Sequence, residues 1–194
     1  ALTALSTEEH YKSQCPLSAD GRFISIASST VFDLQKRTEV KAPNGAAKAR
    51  FISPDHTWWV MTESVDGAWR AVVVHRGSKA KVLLEDSVDV KMLATAGGRL
   101  CGTTANELLV WDLTTGKCIA KKKDAPYRLS FSPDGARLLT VLNDEGQVLD
   151  AVTLKPLGTW PASELALSPD GKSVWAATYR EDKKLTLTRH AFAD

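Results

Sequence analysis

Residues 131–144 read FSPDGARLLTVLND, a Ser-Pro-Asp-Gly turn between two apolar runs. In such a turn proline sets φ at the second position, aspartate bonds to the nearby backbone, and glycine takes the conformation that closes the turn. The flanking runs are short and rich in strand-forming residues. The pattern returns at residues 167–178 as LSPDGKSVWAAT. The stretch therefore predicts a β-hairpin, and its recurrence predicts a repeat.

Five copies of this turn are spaced along the chain, and their first residues are 18, 53, 94, 132 and 168. The third copy, Ala94-Thr95-Ala96-Gly97, is degenerate and is placed by matching Arg99-Leu100 to Arg137-Leu138. The copies carry a strand before the turn, a strand after it and a third apolar run. A fourth, more polar run follows in every copy except the fifth. Four-stranded units at this spacing are typical of β-propeller blades, which bury their faces only by stacking on neighbours.

We therefore predict an all-β chain, one domain of about five four-stranded antiparallel blades. The predicted repeats span about residues 13–47, 48–87, 88–124, 125–161 and 162–194.

The segment ELLVWDLTTGKCIAKKK (107–123) carries the most specific motif: an apolar strand, Trp111-Asp112, a Thr-Gly-Lys turn and an outer strand. With the FSPDG and LSPDG turns, it makes the chain resemble the WD40-like β-propeller repeat family over roughly residues 15–191. The Gly-His dipeptide of that family is absent from every copy, and Trp-Asp occurs once. The resemblance implies degenerate repeats on a propeller fold, and fold alone says little about function.

The resemblance also implies that an N-terminal segment supplies the missing strand of the last blade. Residues 1–12 are either this closing strand, through residues 2–6, or a linker or short helix that begins with the capping box Ser6-x-x-Glu9. Three arrangements are open: a closed ring, part of a larger propeller, and a ring completed by another chain.

Composition narrows the function classes. The 194 residues include 25 basic and 23 acidic side chains, so no strong field attracts nucleic acid or an anionic membrane. No apolar run approaches the ~18 residues of a membrane span. The cysteines, Cys15, Cys101 and Cys118, are far apart, which favours reduced thiols and an intracellular (cytoplasmic or nuclear) location. We expect no metal, no cofactor and no catalytic residue, because no motif for them is present.

The inner strands place Arg50, Lys91 and Arg128 towards one end of the predicted channel. These cations either hold an anion or acidic peptide, or pair with acids such as Asp89 or Asp124. Glu164 is the inner-strand group suited to acid–base work, and a carboxylate without a partner makes an axial hydrolase the weakest hypothesis.

The preferred hypothesis is a non-enzymatic protein–protein interaction scaffold that serves as a subunit of a larger assembly. Loops carry specificity on such a scaffold, and exposed aromatic and arginine side chains dominate contact surfaces. Trp160, before Pro161, is predicted in a connecting loop on the same side as Tyr127, whereas Trp58, Trp69, Trp111 and Trp175 are predicted in the core. The predicted partner-binding residues are Asn44, Lys48, Asp86, Asp124, Tyr127, Arg128, Asp144, Glu145, Trp160, Arg180 and Glu181.

The alternative hypothesis is a propeller associated with RNA or a ribonucleoprotein. The segment KKKDAPYR (121–128) would bind phosphates through Lys121, Lys122, Lys123 and Arg128, with Tyr127 stacking on a base. Lysines on an outer strand also serve simply to block edge-to-edge pairing.

Overall fold

In the computed structural model, the residues described are 22–26, 30–40, 51–53, 57–75, 81–90, 92–132, 134–168, 171–179 and 185–192. They form eighteen strands in five antiparallel sheets, and no helix occurs among them. The predicted all-β fold is thereby confirmed. Residues 1–12, with the question of a closing strand, lie outside the described residues.

The strands follow the chain order within each sheet. The first sheet holds β1 (Phe23–Ile26), β2 (Thr30–Asp33) and β3 (Thr38–Val40). The second holds β4 (Phe51–Ile52), β5 (Trp58–Val65), β6 (Ala68–His75) and β7 (Lys81–Val88). The third holds β8 (Met92–Ala96), β9 (Arg99–Thr103), β10 (Glu107–Asp112) and β11 (Cys118–Lys123). The fourth holds β12 (Arg128–Phe131), β13 (Arg137–Leu142), β14 (Glu145–Asp150) and β15 (Pro156–Pro161). The fifth holds β16 (Glu164–Leu167), β17 (Ser173–Tyr179) and β18 (Leu185–Ala191).

The chain divides into two compact units, one within residues 1–62 and 72–81 and the other within 63–71 and 82–194. The core of the first unit packs β1 and β2 against β5 and β6, through Phe23, Val31, Trp59 and Val74. The second unit contains the third, fourth and fifth sheets, which carry most of the predicted site residues.

The serine of the recurring turn explains why the motif repeats. Its hydroxyl accepts the backbone N–H five residues later, at 2.9 Å in Ser53–Trp58, 2.9 Å in Ser132–Arg137 and 3.0 Å in Ser168–Ser173. The degenerate third copy is a shorter hairpin, in which Ala96 pairs with Arg99 across Gly97 and Gly98. Both glycines have positive φ. The third turn therefore closes as a two-residue glycine hairpin, without a serine hydroxyl.

Arginine side chains connect successive turns. The Nη1 of Arg99 donates to the carbonyl oxygen of Gly135 at 3.1 Å, and the Nη1 of Arg137 donates to the carbonyl oxygen of Gly171. The turn of each of these two repeats is thus bonded to the next one along the chain.

The third and fourth sheets each have the same type of hairpin after their third strand. The carboxylates of Asp112 and Asp150 accept bonds from the backbone and hydroxyl of Thr115 and Thr153, respectively. These hydrogen bonds, from the backbone N–H first, lower the pKa of both aspartates. The aspartate of the Trp-Asp motif is therefore a turn-forming residue, and it is retained where the tryptophan is not.

The tryptophans only partly follow the prediction. Trp111 is fully buried, and its indole Nε1–H donates to the carbonyl of Glu85 on the second sheet's outer strand at 2.5 Å. Trp59 is also buried. The prediction of a core position is wrong for Trp69 and Trp175, whose side chains are exposed on β6 and β17.

Two interfaces between sheets contribute to the core of the second unit. The third and fourth sheets pack through a cluster that includes Cys101, Val110, Leu138 and Leu149. Burial strongly raises the pKa of the Cys101 thiol. The fourth and fifth sheets pack through Leu139, Val148 and Val174, with Trp160, Leu165, Leu167 and Phe192 against them.

Candidate partner-binding surface

The candidate surface lies at the end of the third and fourth sheets opposite the serine turns. Two connections meet there: residues 124–127, between β11 and β12, and Asn143-Asp144, between β13 and β14. Both Asn143 and Asp144 have positive φ, as a two-residue hairpin of this type requires, and short polar side chains tolerate that conformation. The backbone N–H of Tyr127 donates to the carbonyl of Val141 at 3.0 Å and so holds the longer connection against β13.

A groove of about 240 Å³ opens between these two connections. It is lined by Leu108, Lys122, Asp124, Pro126, Thr140, Leu142, Asn143, Glu145 and Gln147. We call it the 3–4 groove. Its wall is apolar at Leu108, Pro126 and Leu142, whereas carboxylates stand on it at Asp124 and Glu145.

A chain of hydrogen bonds crosses the floor of the 3–4 groove. The Nζ of Lys122 donates to Oε1 of Gln147 at 2.8 Å, and the Nε2 of Gln147 donates to Oε1 of Glu145 at 2.7 Å. The amide therefore lies between the ammonium group and the carboxylate and fixes the position of both. Above the groove, the exposed Tyr127 reaches the carboxylate of Asp144 at the long distance of 3.5 Å.

The structure brings together four of the predicted partner-binding residues: Asp124, Tyr127, Asp144 and Glu145. Asp86 is connected to the third sheet by an ion pair with Lys121, in which the Lys121 Nζ lies 2.6 Å from the Asp86 carboxylate. This hydrogen bond raises the pKa of Lys121. Asn44, Lys48, Arg180 and Glu181 lie outside the described residues.

Arg128 is paired, although not with the acids suggested by the sequence. Its Nη2 lies 2.7 Å from Oε1 of Glu164, and both side chains are half exposed. Each begins the inner strand of its sheet, so the repeat itself makes them neighbours. The pairing removes Glu164 as an isolated acid–base group, while Arg50 and Lys91 lie outside the described part of the chain.

The prediction that Trp160 lies in a connecting loop is wrong. Trp160 belongs to β15 and is half-buried. Its ring stacks on His190 with 5.2 Å between centroids and meets Phe192 edge-on at 6.1 Å. It thus covers the interface between the fourth and fifth sheets and is not part of the 3–4 groove.

The three lysines of residues 121–123 do not form one basic patch. They alternate along β11, so Lys121 and Lys123 project from one face of the sheet and Lys122 from the other. Lys121 is bonded to Asp86 and Lys122 to Gln147. This alternation was available from the sequence, because successive strand residues point to opposite faces.

Within the described ranges, no group of three or more histidine, cysteine, aspartate or glutamate side chains could hold a metal ion. The same part of the chain contains no helix long and apolar enough to cross a membrane.

Comparison with solved structures identifies the fold. The chain is similar to a eukaryotic initiation factor, with 14% identity and a TM-score of 0.57 over 91% of this chain and 48% of that one. It is similar to the β-propeller domain of Cps50 (Swd1) from Myceliophteria thermophila, with 19% identity and a TM-score of 0.57 over 91% and 68%. BamB from Moraxella catarrhalis gives 14% identity and a TM-score of 0.55 over 86% and 58%.

The chain has a β-propeller fold. At these identities the likeness shows the fold alone. The chain spans about half the length of the initiation factor that it matches. No family model and no curated protein matches the sequence.

Proposed function

We propose that the protein is a non-enzymatic interaction module that holds a protein partner in the 3–4 groove. The observation that carries this proposal is the groove itself: carboxylates on an apolar wall, with an exposed tyrosine at its mouth. Rigid sheets on both sides position the two connections, which is how scaffolds present specificity loops.

The chemistry of the 3–4 groove favours an extended segment that carries a basic side chain next to an apolar one. Asp124 and Glu145 line it, Asp144 follows the lining residue Asn143, and the ammonium group within it, Lys122, donates to the amide oxygen of Gln147. An incoming arginine or lysine would find carboxylates to pair with, while an aliphatic side chain would cover Leu108 and Leu142. Tyrosine beside such a pocket supplies contact area at low entropic cost.

The RNA alternative is less well supported by the same surface. Phosphates would have to approach the carboxylates of this surface, and of the four basic residues invoked for RNA, Lys121 and Arg128 are paired with carboxylates. Phosphate binding depends on uncompensated cations that release counterions.

The test is a selection of linear peptides from a displayed library on the immobilised chain. We expect enrichment of peptides that combine a basic and an aliphatic residue. Glu145→Lys should weaken the selected peptides by at least roughly tenfold, because the charge at the groove mouth reverses. Glu39→Lys, an exposed glutamate on β3 of the other unit, is the matched control and should leave binding unchanged.

Equal binding by the wild-type chain and Glu145→Lys would contradict the proposal. The proposal would also be contradicted if no peptides were enriched and the chain instead bound an RNA homopolymer with an affinity that falls steeply with salt. That result would favour the RNA alternative.

A further inference from the structure

The charged groups of the 3–4 groove are arranged in two layers. On the third sheet, Lys122 lies within β11, and Asp124 follows two residues later, where the strand has ended. On the fourth sheet, Glu145 begins β14, and Gln147 lies two residues further into the strand. Both walls of the groove therefore carry a carboxylate at the loop end, with Lys122 and Gln147 in the layer beneath it.

Lys122 is the basic group of the lower layer, and an uncharged group is its partner. Its Nζ donates to the amide oxygen of Gln147 at 2.8 Å, which is the one hydrogen bond that the described part of the chain gives it. The preceding lysine, Lys121, is instead paired with the carboxylate of Asp86. Because an ammonium group has three N–H donors, Lys122 keeps two of them for a ligand.

The amide of Gln147 also fixes the carboxylate of Glu145 close to this ammonium group. Its Nε2 donates to Oε1 of Glu145 at 2.7 Å. The two hydrogen bonds and the amide between them keep the charged groups of Lys122 and Glu145 within about 8 Å of each other. The groove thus presents a positive and a negative group at a short and fixed separation.

This separation matches the side-chain spacing of an extended peptide. Alternate side chains of a strand lie on the same side, about 6.8 Å apart. In a segment that runs along β14 with a basic side chain at Glu145, the side chain two positions away would therefore reach Lys122. An apolar side chain there would remove water from the ammonium group without supplying an acceptor, which is unfavourable. A carboxylate would form charge-assisted hydrogen bonds with it.

We propose that the segment bound in the 3–4 groove carries an acidic side chain two positions from its basic one. This inference rests on the proposed function and adds a second requirement to it. The basic side chain pairs with Asp124 and Glu145 in the upper layer, and the acidic one accepts hydrogen bonds from Lys122 in the lower layer. The partner is therefore a protein with an extended segment that carries both charges, and not one with a purely basic tail.

The experiment is the selection of random linear peptides from a displayed library on three immobilised chains: the wild type, Lys122→Met and Lys123→Met. Methionine keeps an unbranched apolar side chain and removes the charge. Lys123 is the matched control, because it is the next residue of β11 and projects from the opposite face of the sheet. On the wild type and Lys123→Met, we expect enrichment of Asp or Glu two positions from Arg or Lys. On Lys122→Met, we expect the basic and aliphatic residues without the acidic one.

A binding measurement on the most enriched wild-type peptide gives the size of the effect. Replacing the acidic residue of this peptide by its amide should weaken binding to the wild-type chain about tenfold, as expected for the loss of a hydrogen bond between charged groups. The same replacement should leave the affinity for Lys122→Met unchanged. Circular dichroism should show the same strand content in all three chains.

Selection of basic and aliphatic residues without the acidic one on the wild type would overturn this inference and leave the proposed function standing. An amide replacement that weakens binding equally to the wild type and Lys122→Met would overturn it as well. A library from which no peptide is enriched would contradict the proposed function, and this inference with it.

Discussion

Two equivalent interfaces in the second unit are filled by different side chains at their loop ends. Between the third and fourth sheets, Leu108 and Lys122 face each other across β10 and β11. In the fourth sheet, the corresponding pair is Gly146 and Trp160. The indole of Trp160 stacks on His190, and Leu165 fills the space above Gly146. Residue size at two paired positions therefore decides which interface stays open.

The largest effect on this difference is expected from Trp160→Ala. The substitution would remove the side chain that covers the fourth–fifth interface. Fully buried tryptophans cost about 3–5 kcal/mol on truncation, so a half-buried one should cost about 2–3 kcal/mol of the free energy of unfolding. Urea unfolding would measure it. The control is Trp69→Ala, an exposed tryptophan, for which we expect a change within about 0.5 kcal/mol. Equal effects would show that Trp160 does not close that interface.

A smaller effect is expected from Gly146→Ala. The added Cβ would stand 2.7 Å from Cγ of Leu165, which is closer than packed carbon atoms allow. Overpacking of this kind costs about 1–3 kcal/mol. Leu165→Ala would make room, so the double variant should be more stable than the sum of the two single changes by about 1 kcal/mol or more. Additive costs would mean that the glycine is not there to admit Leu165.

The smallest effect concerns a feature that the two interfaces share, the aspartate-closed hairpins. Because hydrogen bonds from Thr115 lower the pKa of Asp112, its carboxylate stabilises the folded chain fully above the unfolded pKa of about 3.9. That contribution is lost as the pH falls through the lower folded pKa. Asp112→Asn should therefore cost about 0.5–1 kcal/mol at pH 7 and nothing once the wild-type carboxyl is protonated. Urea unfolding at pH 7, 5, 4 and 3 would measure this.

Asp150→Asn should behave like Asp112→Asn, since Thr153 supplies the same bonds. Asp33 extends the window, because hydrogen bonds from Arg22 lower its pKa to about 2. Its contribution should begin to fall at the same unfolded pKa of about 3.9 and should continue to fall until the pH reaches about 2. A cost of Asp112→Asn that stays constant down to pH 3 would contradict the assignment.

Much of the fold was predictable because the same turn and strand motifs recur in every repeat. The Ser-Pro-Asp-Gly turns and the aspartates at the ends of the third strands form hydrogen bonds with residues three to five positions away. Such bonds require particular residue types at fixed spacing, which can be recognised in the sequence. The neighbouring positions of Arg128 and Glu164 also follow from the repeat, since both begin inner strands. The sequence pattern also predicts one surface for Asp124, Tyr127, Asp144 and Glu145, of which Asp124 and Glu145 line the 3–4 groove.

The failures concern the side chains at sheet faces. Tryptophan in a strand indicates a large apolar surface, but not whether a neighbouring sheet covers it, and so Trp69 and Trp175 were misplaced. Trp160 was assigned to a loop because Pro161 follows it. Proline is tolerated at the end of an outer strand, where its missing N–H is not needed. The 3–4 groove depends on paired residue sizes in two sheets, which no single repeat reveals.

The arginine links between successive turns have a consequence for the fifth sheet. Arg137 stands five residues after Ser132 and reaches the next turn, but the fifth sheet has Ser173 at the corresponding position. The turn of the fifth sheet thus accepts a hydrogen bond from the guanidinium group of Arg137, and its own corresponding residue, Ser173, has no guanidinium group to donate to a next turn. A further sheet stacked on the exposed side of the fifth sheet would therefore receive no guanidinium bond of this kind, and apolar contacts with Trp175 and Leu187 would have to hold it there.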